Sequence, residues 1–84
     1  MKTRATVRLY TKPGCHLCEE AKAEMLKAGC ADEYVLEEIN IESDPELFTK
    51  YRYEIPVITI NDVKAFKYHL NADDFRRKIE QVNS

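Results

Sequence analysis

The chain has 84 residues, 44% hydrophobic and 33% charged, with a formal net charge of −2. That length makes one domain, residues 1–84, and the balance excludes a disordered chain, while interspersed acids and bases give no footprint for a nucleic-acid partner. The longest apolar runs are a few residues against the roughly 20 that span a bilayer, so no membrane partner is expected.

Thr6 to Tyr10 reads as a buried strand, broken by Pro13-Gly14. Cys15-His16-Leu17-Cys18 follows and opens a helix. Ala21, Met25, Leu26 and Gly29 keep helical spacing, and Glu19, Glu20, Lys22, Glu24 and Lys27 fill the outer face. Gly29 is the expected stop. Tyr34 to Ile41 looks like a second strand. Ser43-Asp44-Pro45-Glu46 resembles a capping box with proline in the first turn, opening a short helix to about Tyr51 that buries Leu47, Phe48 or Tyr51.

Beyond Ile55-Pro56 the pattern is a hairpin: Val57 to Ile60, an Asn61-Asp62 turn, then Val63 to Tyr68. Asn71 is a strong N-cap with Asp74 three residues on, Leu70 can staple against Phe75, and Phe75, Ile79 and Val82 form an inward stripe. The order is β-α-β-α-β-β-α. The βαβ unit gives a parallel pair and the hairpin two antiparallel strands, so an α/β fold is expected, with a four-stranded mixed sheet flanked by three helices.

The chemistry lies in the cysteines. Three of them, an odd number, make a poor disulfide scaffold, and Met1 to Thr6 enters the first strand without a secretory hydrophobic segment. A cytoplasmic location is expected, and there a close cysteine pair is catalytic or metal-binding. Cys15 falls at the exposed start of the helix, where amides lack partners and the macrodipole favours negative charge. A thiol there ionises more easily, and the thiolate is what attacks disulfides.

Gly14 permits close approach, and Lys12 adds a cation. Cys18, one turn on, is near enough to close a disulfide and is placed to resolve a mixed one. His16 between them, if protonated, would stabilise the thiolate; otherwise it is an exposed imidazole of minor influence. A zinc half-site is the competing reading, but tetrahedral zinc needs two more ligands, and Cys30, His16 and His69 make no second spaced pair, so no metal is expected. Cys30, after Gly29, reads as a buried, idle thiol.

The element order, with Cys-x-x-Cys at the first helix start and Ile-Pro before the third strand, resembles the thioredoxin fold and, more closely, the glutaredoxins, over nearly the whole chain. The run Lys12-Pro13-Gly14-Cys15-His16-Leu17-Cys18 is similar to the motif of small glutaredoxin-like proteins, and Tyr10-Thr11-Lys12-Pro13 and Ile55-Pro56-Val57 strengthen the likeness. The resemblance implies a cis Ile55-Pro56 bond facing the cysteines, where an ordinary trans proline opening an edge strand would otherwise be expected. It also implies that the main chain beside this proline, at Val57, pairs with substrate, and that Lys12 contacts a glutathione carboxylate.

Asp73 and Asp74, in Asn71-Ala72-Asp73-Asp74, correspond to the acidic part of a Gly-Gly-x-Asp-Asp loop. There the γ-glutamyl ammonium meets an acid and its carboxylate a helix N-terminus. The chain departs from that pattern. Leu70 and Asn71 stand in place of the glycines, and Glu54, where threonine is common, adds negative charge near an anionic ligand. Asp73 and Asp74 can equally be capping residues alone.

The expected function is a dithiol–disulfide oxidoreductase, Cys15 attacking and Cys18 resolving, with Lys12, His16, Ile55, Pro56, Val57, Asp73 and Asp74 lining the substrate or glutathione site. No cofactor is expected, glutathione entering only as a co-substrate. The expected partner of this monomer is a disulfide-containing protein or a glutathione mixed disulfide. The alternative from another class is a non-catalytic thioredoxin-fold binding domain, or a carrier of metal or an iron–sulfur cluster.

Overall fold

The computed structural model describes residues 4–83. Its elements are β1 (Ala5–Thr11), α1 (His16–Lys27), β2 (Tyr34–Asn40), α2 (Pro45–Tyr51), β3 (Val57–Ile60), β4 (Val63–Lys67) and α3 (Ala72–Asn83), with 3-10 turns at Ala31–Glu33 and Ile41–Ser43. The strands lie in the order β2-β1-β3-β4. β1 runs parallel to β2 and β3 antiparallel to β4, as the βαβ-plus-hairpin pattern requires, and β3 joins the two pairs by lying antiparallel to β1. Among the described residues no helix is long and apolar enough to cross a membrane.

β1 alternates, burying Ala5, Val7 and Leu9 while Thr6, Arg8 and Tyr10 are half-buried. β3 lies between two strands and is buried throughout, which is why it reads as an unbroken β-branched run. Asn61 and Asp62 both take positive φ, 52° and 68°, the conformation a two-residue hairpin turn demands. Asn61 also ties the turn to β1: its N–H donates to Thr6 O at 2.8 Å, and its Oδ1 accepts from Thr6 N at 2.9 Å.

One core cluster holds α1 and α3 against the sheet. Phe75 is wholly buried there, edge-on to Tyr34 at 5.2 Å between ring centres, with Met25, Leu9, Ile58 and Ile79. Burying such a ring stabilises the fold by about 1.5–3 kcal/mol. A second, smaller cluster gathers Tyr51 of α2 with Cys18, Ile41, Ile55 and Val57.

Several local expectations give way to the tertiary structure. Leu26 is 77% exposed, because the buried face of α1 runs Cys18, Ala21, Met25, Ala28, and Leu26 is turned a residue away from it. β2 stops at Asn40, whose Oδ1 accepts from Glu42 N at 2.9 Å and turns Ile41 into the core. Asp44, not Ser43, caps α2, accepting from Glu46 N at 2.9 Å, while the Ser43 hydroxyl donates to Asn40 O at 2.6 Å. Only Tyr51 of α2 is fully buried, with Leu47 and Phe48 half-buried. β4 ends at Lys67 because Tyr68 adopts a φ of 68°.

Candidate functional site

Gly14, at a φ of 77°, turns the chain so that Cys15 becomes the N-cap of α1. Cys15 N donates to Lys12 O at 3.3 Å, and Cys15 O accepts from Glu19 N at 3.3 Å, the first bond of the helix. Cys15 Sγ serves as the capping acceptor, taking the Cys18 N–H at 3.2 Å. The two cysteines are joined by a disulfide, with Cα atoms 5.3 Å apart. Their accessibilities differ: Cys18 is fully buried and Cys15 half-exposed.

The apolar surroundings come from β1, α1, α2 and β3, with Ile41 from a 3-10 turn and Ile55 from a loop. Cys18, Ile41, Tyr51, Ile55 and Val57 are the buried members of the second cluster, and the partly buried Tyr10, Cys15, Leu47 and Phe48 pack against it at the rim. The rings of Tyr10 and Tyr51 meet at a tilt of 39° with centres 4.7 Å apart. Tyr53, by contrast, is 77% exposed and lies against Arg52.

Ile55-Pro56 is a cis bond, and Pro56 O accepts from Tyr68 N at 2.9 Å. The expectation for Val57 needs correction. Val57 is inside the sheet, paired with Tyr10 on one side and Lys67 on the other, so its main chain is committed to the ladder. The open main chain lies two residues earlier: among the described residues nothing hydrogen-bonds the N–H or carbonyl of Ile55. Buried backbone groups normally have partners, so these two groups are poised to receive them.

Lys12 is half-buried and lines a shallow groove with Glu19, Lys22 and Glu38. Lys22 bonds both acids at 3.2 Å, and these bonds raise its pKa. His16 projects to solvent, its side chain 87% exposed and its Nε2 3.8 Å from Glu20 Oε1. Asp73 and Asp74 are exposed at the start of α3. Their amides donate to Asn71 Oδ1 at 2.9 and 3.2 Å, and Asp74 lies 3.6 Å from Arg77. These contacts are capping contacts, not contacts with the disulfide.

Glu54 does not leave a bare negative charge beside the cis proline. Its Oε1 accepts from Lys64 at 2.9 Å with Lys67 4.0 Å away, and the Lys64 hydrogen bond lowers its pKa. Lys50 and Lys64 in turn sit over the Tyr51 ring, 5.1 and 5.6 Å from its centre. Cys30 is buried, and desolvation pushes its thiol pKa up. Among the described residues no three His, Cys, Asp or Glu side chains converge as a metal site.

Glu24, read in sequence as an outer-face residue, is half-buried, and its Oε1 accepts from Ala72 N at 3.0 Å. Nothing local marks it, since its partner is 48 residues away.

Residues 6–80 match the family described as glutaredoxin-like domain (DUF836). A glutaredoxin-like protein of Dictyostelium discoideum is 30% identical over 82 residues, spanning 90% of this chain and 76% of its own length. A Nitrosomonas europaea protein solved by NMR in solution superposes with a TM-score of 0.77 at 28% identity, covering 93% of this chain and 94% of that one. A mutant thioredoxin of Halobacterium salinarum superposes with a TM-score of 0.68 over 98% of this chain and 77% of that one; at 11% identity the fold alone is shared. The three-helix, four-stranded architecture is thus the thioredoxin fold.

Proposed function

This chain belongs to the glutaredoxin-like domain family, and from that premise we propose that it is a thiol–disulfide oxidoreductase in which Cys15 attacks and Cys18 resolves. One observation carries the assignment of roles. The paired sulfurs sit one helical turn apart, the outer one at a helix N-cap and the inner one sealed in the core.

In the reduced protein, the Cys15 thiolate faces the Cys18 N–H and the positive end of α1, which favour the anion. It attacks one sulfur of a substrate disulfide, forming a mixed disulfide and releasing the other substrate sulfur as a thiolate that takes a proton from solvent. Cys18 loses its proton and attacks Cys15 Sγ, expelling the second substrate sulfur. Two electrons pass to the substrate, and the chain is left as the Cys15–Cys18 disulfide. An external dithiol or two thiols must then reduce it, a condition met in the cytoplasm, the location expected for this chain. The free N–H and carbonyl of Ile55 pair with the substrate backbone, and the rim of Tyr10, Leu47 and Phe48 covers its apolar side chains.

The experiment is competitive alkylation of the reduced protein at neutral pH, read by mass spectrometry. Cys15 is expected to react well ahead of Cys18 and Cys30, and Cys15→Ser to lose all disulfide reductase activity. Equal rates at the three thiols would overturn the assignment. A colourless protein with this activity excludes the cluster-carrier alternative.

A further inference from the structure

The start of α3 is occupied by the protein itself. A helix opens with amides that lack intrahelical acceptors, and such amides are what hold a carboxylate at a helix N-terminus. Here Ala72 N donates to Glu24 Oε1 at 3.0 Å, and Asp73 N and Asp74 N donate to Asn71 Oδ1 at 2.9 and 3.2 Å. The first three amides of the helix are therefore filled. The Glu24 carboxylate reaches across from α1, with Lys27 3.9 Å from its other oxygen. Arg76 Nε donates to Ala28 O at 3.0 Å and keeps the two helices in register beneath it.

A glutathione mixed disulfide bound in the manner the resemblance implies would bring its γ-glutamyl carboxylate to this place. It would find the amides of Ala72, Asp73 and Asp74 taken, and it would meet the carboxylates of Glu24, Asp73 and Asp74, with Lys27 3.9 Å from Glu24 and the exposed Arg77 3.6 Å from Asp74. We propose that Glu24 is a specificity-determining residue of this site. It fills from inside the fold the position a γ-glutamyl carboxylate requires, so that the chain acts on protein disulfides, held through the Ile55 main chain and the apolar rim, in preference to glutathione mixed disulfides. The inference rests on the oxidoreductase reading and narrows its substrate class.

The test is a titration of the oxidised full chain with S-methylglutathione, which cannot exchange disulfides, followed on the amide resonances of Ala72, Asp73 and Asp74. The wild-type protein is expected to give no saturable shift there up to the highest concentration used, and Glu24→Ala to saturate with a Kd roughly tenfold or more below that concentration. Should Glu24→Ala not fold, Glu24→Gln removes the charge alone and is expected to gain several-fold. Saturable shifts at these amides in the wild type, or no gain in a folded Glu24 variant, overturn the proposal. Cys15 alkylation is read separately, on the same variants after reduction of the Cys15–Cys18 disulfide. If it fails while the amides stay silent, the oxidoreductase reading falls; if it succeeds while the wild-type amides shift, only the role of Glu24 falls.

Discussion

Arg76 on α3 donates from Nε to the carbonyl of Ala28, the C-cap of α1, at 3.0 Å. The reverse tie is Glu24 of α1 on the first amide of α3, so each helix supplies a side chain that caps the other. A guanidinium at a helix C-terminus also complements the macrodipole. Arg76→Ala is expected to destabilise the fold by about 1.5–3 kcal/mol, the range for a hydrogen bond to a charged group. Arg77→Ala, which loses only an exposed pair with Asp74, should cost about 0.5 kcal/mol or less. Urea unfolding of the two variants beside the wild type checks this, and equal midpoints for the two would sink the capping role.

The Glu54–Lys64 pair predicts a pH dependence. Glu54 titrates below its ordinary value of 4.5 and Lys64 above its ordinary value of 10.5, each through their shared hydrogen bond. For the carboxylate the folded pKa is depressed, so its contribution is present above 4.5 and fades as pH falls through the lower folded value. For the ammonium the folded pKa is raised, so its contribution is present below 10.5 and fades as pH rises through the higher folded value. Lys64→Met should therefore lower the denaturation midpoint across the neutral range, converge on the wild type in acid, and show a smaller effect in high salt. A difference that persists unchanged in strong acid would mean that Lys64 acts through its packing on Tyr51.

The parts of this structure that were readable in advance carry their reasons locally. Asn61-Asp62 tolerates positive φ at both positions, Asn71 caps its own helix, and the cysteine pair is one turn apart whatever the rest of the chain does. The misread parts are competitions settled at a distance. Met25 and Leu26 are equally apolar, and only the placement of the sheet decides which is buried. Ser43 and Asp44 both suit an N-cap, and Ser43 is withdrawn by Asn40 O. In the site, periodicity has no means of distinguishing Ile55 from Val57 as the open peptide, because Val57 is enclosed by β1 and β4. Glu24 was hidden for the same reason, its partner lying on another helix.

The division of labour between the sulfurs predicts the fate of a half-active variant. With Cys18→Ser, Cys15 still attacks but nothing inside the chain displaces the second substrate sulfur. Incubation with a disulfide-bonded protein is expected to build up a stable one-to-one adduct through Cys15, seen by mass spectrometry and released by dithiothreitol. Cys15→Ser should form none, since Cys18 is fully buried. An adduct carried by Cys18 would reverse the assignment.

Thr59 offers a test of the core itself. It lies in β3, 5% exposed, and its hydroxyl has no hydrogen-bond partner among the described residues. A buried hydroxyl without a partner loses its hydration and gains nothing in return, at a cost of about 1–3 kcal/mol. Valine has the same branched shape and a β propensity at least as high, so it fills the site without a cavity. Thr59→Val should therefore raise the midpoint of unfolding by about 1 kcal/mol in stability or more. A loss of stability would mean that the hydroxyl is satisfied after all, by a buried water bridging it to the sheet, and high-resolution density at that oxygen would then reveal the water.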